Sequence, residues 1–331
     1  MAVARNELLA CLDGQPVDDR MEQIWVPLAG SLEQNIASFI NGGLLTEAGI
    51  DEKLDKKFRV ADLKPLLESR DIKVKGKKTD MIKALQEKLT PEEASGMVAD
   101  IRLYHLTHEG KNKVAAYMDE KKRTKESMEA RAMALLMNGD VKGAGEIIAR
   151  YESQQLFPRG TGINWSSGMP EPYLKEAEFL VKYPYDDLPM IERQRKEVGA
   201  CLALSVMMGE SASDAAKRLM SIPNSEFSWS VLEDTLNSNP CCSDVSALND
   251  GQPKALVELY ALTRLVQARN SMELTSLSNA KIGKGVRLLS AKGHNCKSCC
   301  TGKNEYAWSE IKDIPKLPRR WGCMCTYIAW L

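Results

Sequence analysis

Apolar residues return every three or four positions along most of the chain, the period of an amphipathic helix. In residues 1–50 the stripe is Leu8, Leu9, Trp25, Leu28, Leu32, Ile36 and Phe39, broken at Gly14-Gln15-Pro16 and at Gly42-Gly43. The helical period resumes from Ile101 to Glu152, where Ala130–Met137 and Ala144–Tyr151 read as helices joined by Asn138-Gly139-Asp140. Residues 156–173 are rich in Pro and Gly and read as a loop or linker. Residues 187–222 and 253–279 are again helical, on either side of a Pro-, Ser- and Asn-rich break at 237–253. Alternating patterns are scarce. The stretch from Gly285 through Val286-Arg287-Leu288-Leu289 reads as one short strand in an otherwise irregular C-terminal end. The fold class expected is mainly α, in several domains: 1–57, 58–92, 93–165, 166–284 and 285–331.

Composition changes this picture little. The 331 residues carry 45 basic and 45 acidic side chains, so no global charge draws the chain to nucleic acid or membrane. The distribution is uneven, however. Phe58–Leu89 holds nine Lys/Arg against five Asp/Glu, and Lys281–Leu331 ten against three. No run of eighteen apolar residues suggests a membrane span, and the first residues lack the pattern of a secretory signal. A reducing, cytoplasmic setting is therefore expected, where thiols and thiolate–metal bonds outlast disulfides.

The basic stretch 58–89 reads as two short helices around a compact link. Val60, Leu63, Leu66 and Leu67 form one stripe; Met81, Ile82, Leu85 and Leu89 form the other. Asp62 is placed to cap the first helix, with Pro65 in its first turn. Thr79 or the lysines before it open the second. Ile72 and Val74 alternate in the link, and Gly76 sits where the chain turns. Lys73, Lys75, Lys77 and Lys78 surround that turn. A helix N-terminus flanked by four lysines suits repeated phosphates, although a solvated lysine face accounts for the same charge. The order of apolar, Gly and Lys positions resembles a SAP domain, a helix–extended–helix unit that binds DNA, often AT-rich duplex. The resemblance implies duplex DNA as partner and contact through Lys73, Lys75, Gly76, Lys77 and Lys78. Asp71 stands where that family commonly has Gly, just after the first helix.

A second cluster lies near the C-terminal end. Cys296-x2-Cys299 and Cys323-x-Cys325 give two chelating loops, the donor type and pairing of a structural zinc site. His294 or Cys300 offers a substitute ligand. Unbound thiols, and disulfide or redox chemistry, remain open beside zinc. In wider order, Ala268-Arg269-Asn270, the strand from Gly285, the Cys pair, Ile314-Pro315-Lys316-Leu317-Pro318 and the closing Cys-x-Cys resemble the C-terminal end of phage Mu F-type head-morphogenesis proteins. That resemblance implies a virion or particle-assembly role with capsid or portal partners. Where that family has His-Pro before its last cysteines, this chain has Pro318-Arg319-Arg320-Trp321-Gly322.

Other motifs carry no chemistry. His105 and His108 lack a third ligand nearby and read as ordinary histidines. Gly160-Thr161-Gly162 has no strand before it to make a phosphate loop. No nucleophile elbow, zinc-protease or Walker motif is present. The expectation is a non-enzymatic DNA-binding protein whose helical body engages protein partners. A phage structural protein and a DNA-modifying enzyme tethered by the SAP-like unit are the alternatives.

Overall fold

The computed structural model describes residues 2–74, 76–160, 162–186, 191–222, 253–289, 303–317 and 325–331. The chain divides into two compact units, Met1–Thr124 and Lys125–Leu331.

The first unit opens with α1 (Ala2–Cys11), α2 (Asp19–Ala29) and α3 (Leu32–Asn41). Leu8, Leu9, Trp25, Leu32, Ile36 and Phe39 of the expected stripe are buried. Asp18 and Ser31 begin α2 and α3 by accepting from the backbone N–H groups of Met21 (2.8 Å) and Gln34 (3.3 Å). A short strand β1 (Leu45–Glu47) then pairs antiparallel with β2 (Tyr104–Leu106), Leu45 opposite Leu106. Four helices form the excursion between these strands: α4 (Ile50–Lys57), α5 (Val60–Glu68), α6 (Lys78–Gln86) and α7 (Pro91–Met97). They share one core of Leu54, Leu63, Leu67, Met81, Ile82, Leu85 and Val98. α7 begins with a full capping box. Thr90 Oγ1 accepts from the Glu93 N–H (3.2 Å), and Glu93 accepts from the Thr90 N–H (2.9 Å). The 30-residue α8 (His108–Met137) follows, and the division between the units falls within it. It takes in the stretch from Ala130 that the spacing marked as a separate helix.

In the second unit α9 (Val141–Ser153) follows the expected Asn138-Gly139-Asp140 turn. Gly139 takes the left-handed conformation (φ 79°), and Asp140 caps α9 by accepting from the Gly143 N–H at 2.8 Å. α10 (Glu171–Lys182), α11 (Glu192–Met207), α12 (Ala212–Met220) and α13 (Pro253–Ala280) complete the helical part. α11 is central. Every residue from Val198 to Met207 is buried, so this half of the helix is enclosed on all faces.

The Pro/Gly-rich stretch before α10 is a packed loop, not a spacer. Glu152 is 2 % exposed, and its carboxylate accepts from the Arg159 backbone N–H (3.0 Å) and Nε–H (2.5 Å). Arg159 also donates to the Met207 carbonyl (3.2 Å), and its own carbonyl accepts from the indole N–H of buried Trp165 (2.7 Å).

The C-terminal end is more regular than its sequence suggests. Three strands replace the single one expected: β3 (Gly285–Leu289) lies between β4 (Glu305–Ala307) and β5 (Thr326–Trp330), antiparallel to both. Val286, Leu288, Tyr306, Cys325 and Tyr327 form its core with Ile314 and Leu317. The Tyr327 hydroxyl donates to the Pro315 carbonyl (2.6 Å) and accepts from the Leu317 N–H (2.8 Å), which fixes the Ile314–Leu317 turn. Asn270 of α13 is 1 % exposed; its amide donates to the Cys325 carbonyl (2.8 Å) and accepts from the Thr326 hydroxyl (2.8 Å). Among the described residues, no helix is long and apolar enough to cross a membrane.

Candidate nucleic-acid interface

α5 and α6 begin in the same way. Asp62 and Asp80, each at the third helical position, accept from the backbone N–H of the residue before the helix: Arg59 at 2.8 Å and Lys77 at 3.0 Å. Asp62 is thus one half of a capping box and not the cap residue itself, since the helix starts three residues earlier than a cap at Asp62 would place it. Pro65 accordingly lies past the first turn, inside α5. Val60 is 40 % exposed and leaves the stripe that Leu63 and Leu67 complete. The α6 stripe of Met81, Ile82 and Leu85 is buried, with Leu89 half-buried at its end.

α5 ends in a Schellman turn. The Ile72 N–H bonds to the Leu67 carbonyl (2.9 Å) and the Asp71 N–H to the Glu68 carbonyl (3.0 Å). Asp71 occupies the left-handed position with φ 53°. That is a conformation glycine adopts without strain, and it accounts for the glycine expected here. Replacing Asp71 with Gly is expected to stabilise this unit by about 0.5–1 kcal/mol. Urea unfolding of the full chain checks the sign. Equal or lower stability would mean that the Asp71 side chain makes a compensating contact.

From Ile72 the link alternates. Ile72 and Val74 pack against the shared core, and Lys73 between them is exposed. Lys75 lies outside the described residues. Gly76 is not in the left-handed region; its need is space, because a Cβ there would stand 2.6 Å from Asp80 Oδ2. Any larger residue would push the Asp80 carboxylate off the Lys77 N–H. Lys77 precedes α6 and is exposed; Lys78 is its first residue and half-buried. Lysines here stand at the positive end of the helix dipole, the unfavourable sign.

The three described lysines differ in their partners. Lys73 and Lys77 have no carboxylate partner among the described residues. Lys78 faces back toward α4, 3.1 Å from the Asp55 carboxylate, and also donates to the Asp55 carbonyl. Asp55 and Asp80 escape a motif-based reading, although the Lys77-x-x-Asp80 spacing is a legible capping signal.

Little else in the described residues offers chemistry. His105 lies on β2, where its ring nitrogens meet Glu52 Oε2 (2.8 Å) and Asp13 Oδ1 (3.4 Å); His108 begins α8, so the two histidines share no helix face. Burial pushes the Cys201 thiol up to about 12, an unreactive packing group. Of the cysteines read as zinc ligands only Cys325 is described, and it is buried immediately before β5. Cys296, Cys299 and Cys323, with His294 and Cys300, lie outside the described residues. Among the described residues no group of three or more His, Cys, Asp or Glu side chains is arranged to hold a metal ion.

Comparison with known proteins agrees with this geometry. No curated protein and no solved structure matches the chain. A family model, the SAP domain, matches residues 56–89, which cover α5, the link and α6. Residues 56–89 are a SAP domain, a module associated with nucleic-acid binding.

Proposed function

We propose that the protein binds duplex DNA without catalysing a reaction on it, using the turn between α5 and α6. Lys73, Lys75 and Lys77 neutralise backbone phosphates, with Lys78 beside them as a fourth candidate contact, and Gly76 keeps the backbone beside them narrow. The observation that carries this is the exposed pair of Lys73 in the link and Lys77 at the N-terminus of α6, where the charge of Lys77 opposes helix stability. Phosphate contacts give affinity without base readout, so the module acts as a largely sequence-independent tether, with the helical body left for protein partners; AT-rich duplex is the target that the SAP resemblance alone suggests.

Titrating labelled duplex with the full chain at several salt concentrations tests this. Three to four phosphate contacts give a slope of log K against log salt of roughly −2.7 to −3.6. No binding, or binding indifferent to salt, overturns it. Competition between AT-rich and GC-rich duplexes reads the preference.

Two further proposals concern the C-terminal end. Cys296, Cys299, Cys323 and Cys325 hold one structural zinc ion; metal analysis of the reduced protein should find about one zinc per chain, as four thiolates require. Protein without zinc rejects this. A place in a phage particle, beside capsid or portal proteins, rests on the C-terminal resemblance alone; the cytoplasm is the setting otherwise.

A further inference from the structure

We infer that Asp55 acts as an internal competitor for DNA phosphate, holding Lys78 out of the interface that its position in the SAP domain assigns to it. The inference rests on the DNA-binding role proposed above. Lys78 is the first residue of α6, next to the exposed Lys77. Its ammonium has a carboxylate partner, whereas Lys73 and Lys77 have none among the described residues. It lies 3.1 Å from Asp55 Oδ1 and donates to the Asp55 main-chain carbonyl. That carbonyl belongs to the last turn of α4, the negative end of the helix, where a cation is favoured and the carbonyls lack intrahelical donors.

Two negative groups thus stand where a phosphate would have to bind, and a positive side chain at the wrong end of α6 is satisfied at the right end of α4. Asp55 directly precedes the residues that match the SAP domain, on α4, whose last two residues the match includes. The pair is partly exposed, with 29 % of the Lys78 and 47 % of the Asp55 side chain accessible. A pair of this kind is weak enough to be broken by substitution without unfolding the helices around it.

The test uses the full chain and the salt titration of labelled duplex. With Lys78 withheld, three lysines meet phosphates and the slope is roughly −2.7. D55N releases Lys78, steepening the slope to roughly −3.6 and raising affinity by roughly two- to fivefold at low salt. In the wild-type background K78Q leaves the slope unchanged, whereas K77Q lowers its magnitude by roughly 0.9. In the D55N background K78Q returns the slope to the wild-type value. Far-UV circular dichroism confirms that each variant keeps its helices, and D55S serves where D55N does not.

A wild-type slope that K78Q reduces as much as K77Q does, or a D55N slope equal to wild type, overturns the inference while leaving the DNA-binding role intact. Absence of salt-dependent binding by the wild-type chain removes the role itself.

Discussion

Replacing Glu152 with alanine is expected to destabilise the second unit by about 2–4 kcal/mol, between the cost of breaking an exposed ion pair and a fully buried one. The carboxylate is 2 % exposed, while 32 % of the Arg159 side chain remains accessible, which sets the value below the buried limit. The loss exceeds one ion pair. The Arg159 N–H loses its acceptor, and the Arg159 carbonyl that receives the Trp165 indole is no longer held in place. Glu152→Gln keeps an acceptor for the N–H but lacks the charge, and should fall between wild type and alanine. Urea unfolding of the full chain measures both. A cost below about 1 kcal/mol for the alanine variant would place the pair with ordinary surface bridges.

Combined replacement of Lys73, Lys75 and Lys77 by glutamine is expected to remove most salt-sensitive DNA binding. Between 50 and 200 mM salt, three phosphate contacts cost the wild-type chain roughly 40-fold in affinity, and the triple variant should change little. Stability moves the other way. Lys77 stands at the positive end of α6, so its loss should be neutral or stabilise by about 0.3–0.5 kcal/mol. Loss of binding joined to unchanged or improved stability separates an interface from a structural defect. Binding that survives in the triple variant would locate the DNA contact elsewhere on the chain.

The SAP unit was legible because everything that defines it is local. Leu63, Leu67, Met81 and Leu85 lie within about two dozen residues of one another, and the helical period, the alternating link and Gly76 each announce themselves. Asp71 even revealed its left-handed backbone through the glycine expected in its place. Features built from distant parts were not legible. The three strands of the C-terminal sheet are three to five residues long and separated by up to 36 positions in sequence, too short for a period and paired only in space. The loop around Arg159 carries linker composition, and nothing in that composition shows Glu152 holding it. Asp55 is one of many acidic residues on helices, and only the folded chain sets it against Lys78.

The core beneath the SAP domain does not stop at the domain's ends. Leu54 before residue 56 and Val98 after residue 89 are 0 % and 3 % exposed, and both belong to the same cluster as Leu63 and Leu85. The module is therefore not portable at its family boundaries. A fragment cut at 56 and 89 would bare the apolar surface that Leu54 and Val98 cover, and a chain lacking those residues would strand these two in water. By linkage, a duplex that grips the turn must also steady α4 and α7, since whatever binds the folded unit alone protects every part that folds with it. Grafting this tether onto another protein would call for residues 50–101, the span over which its core closes.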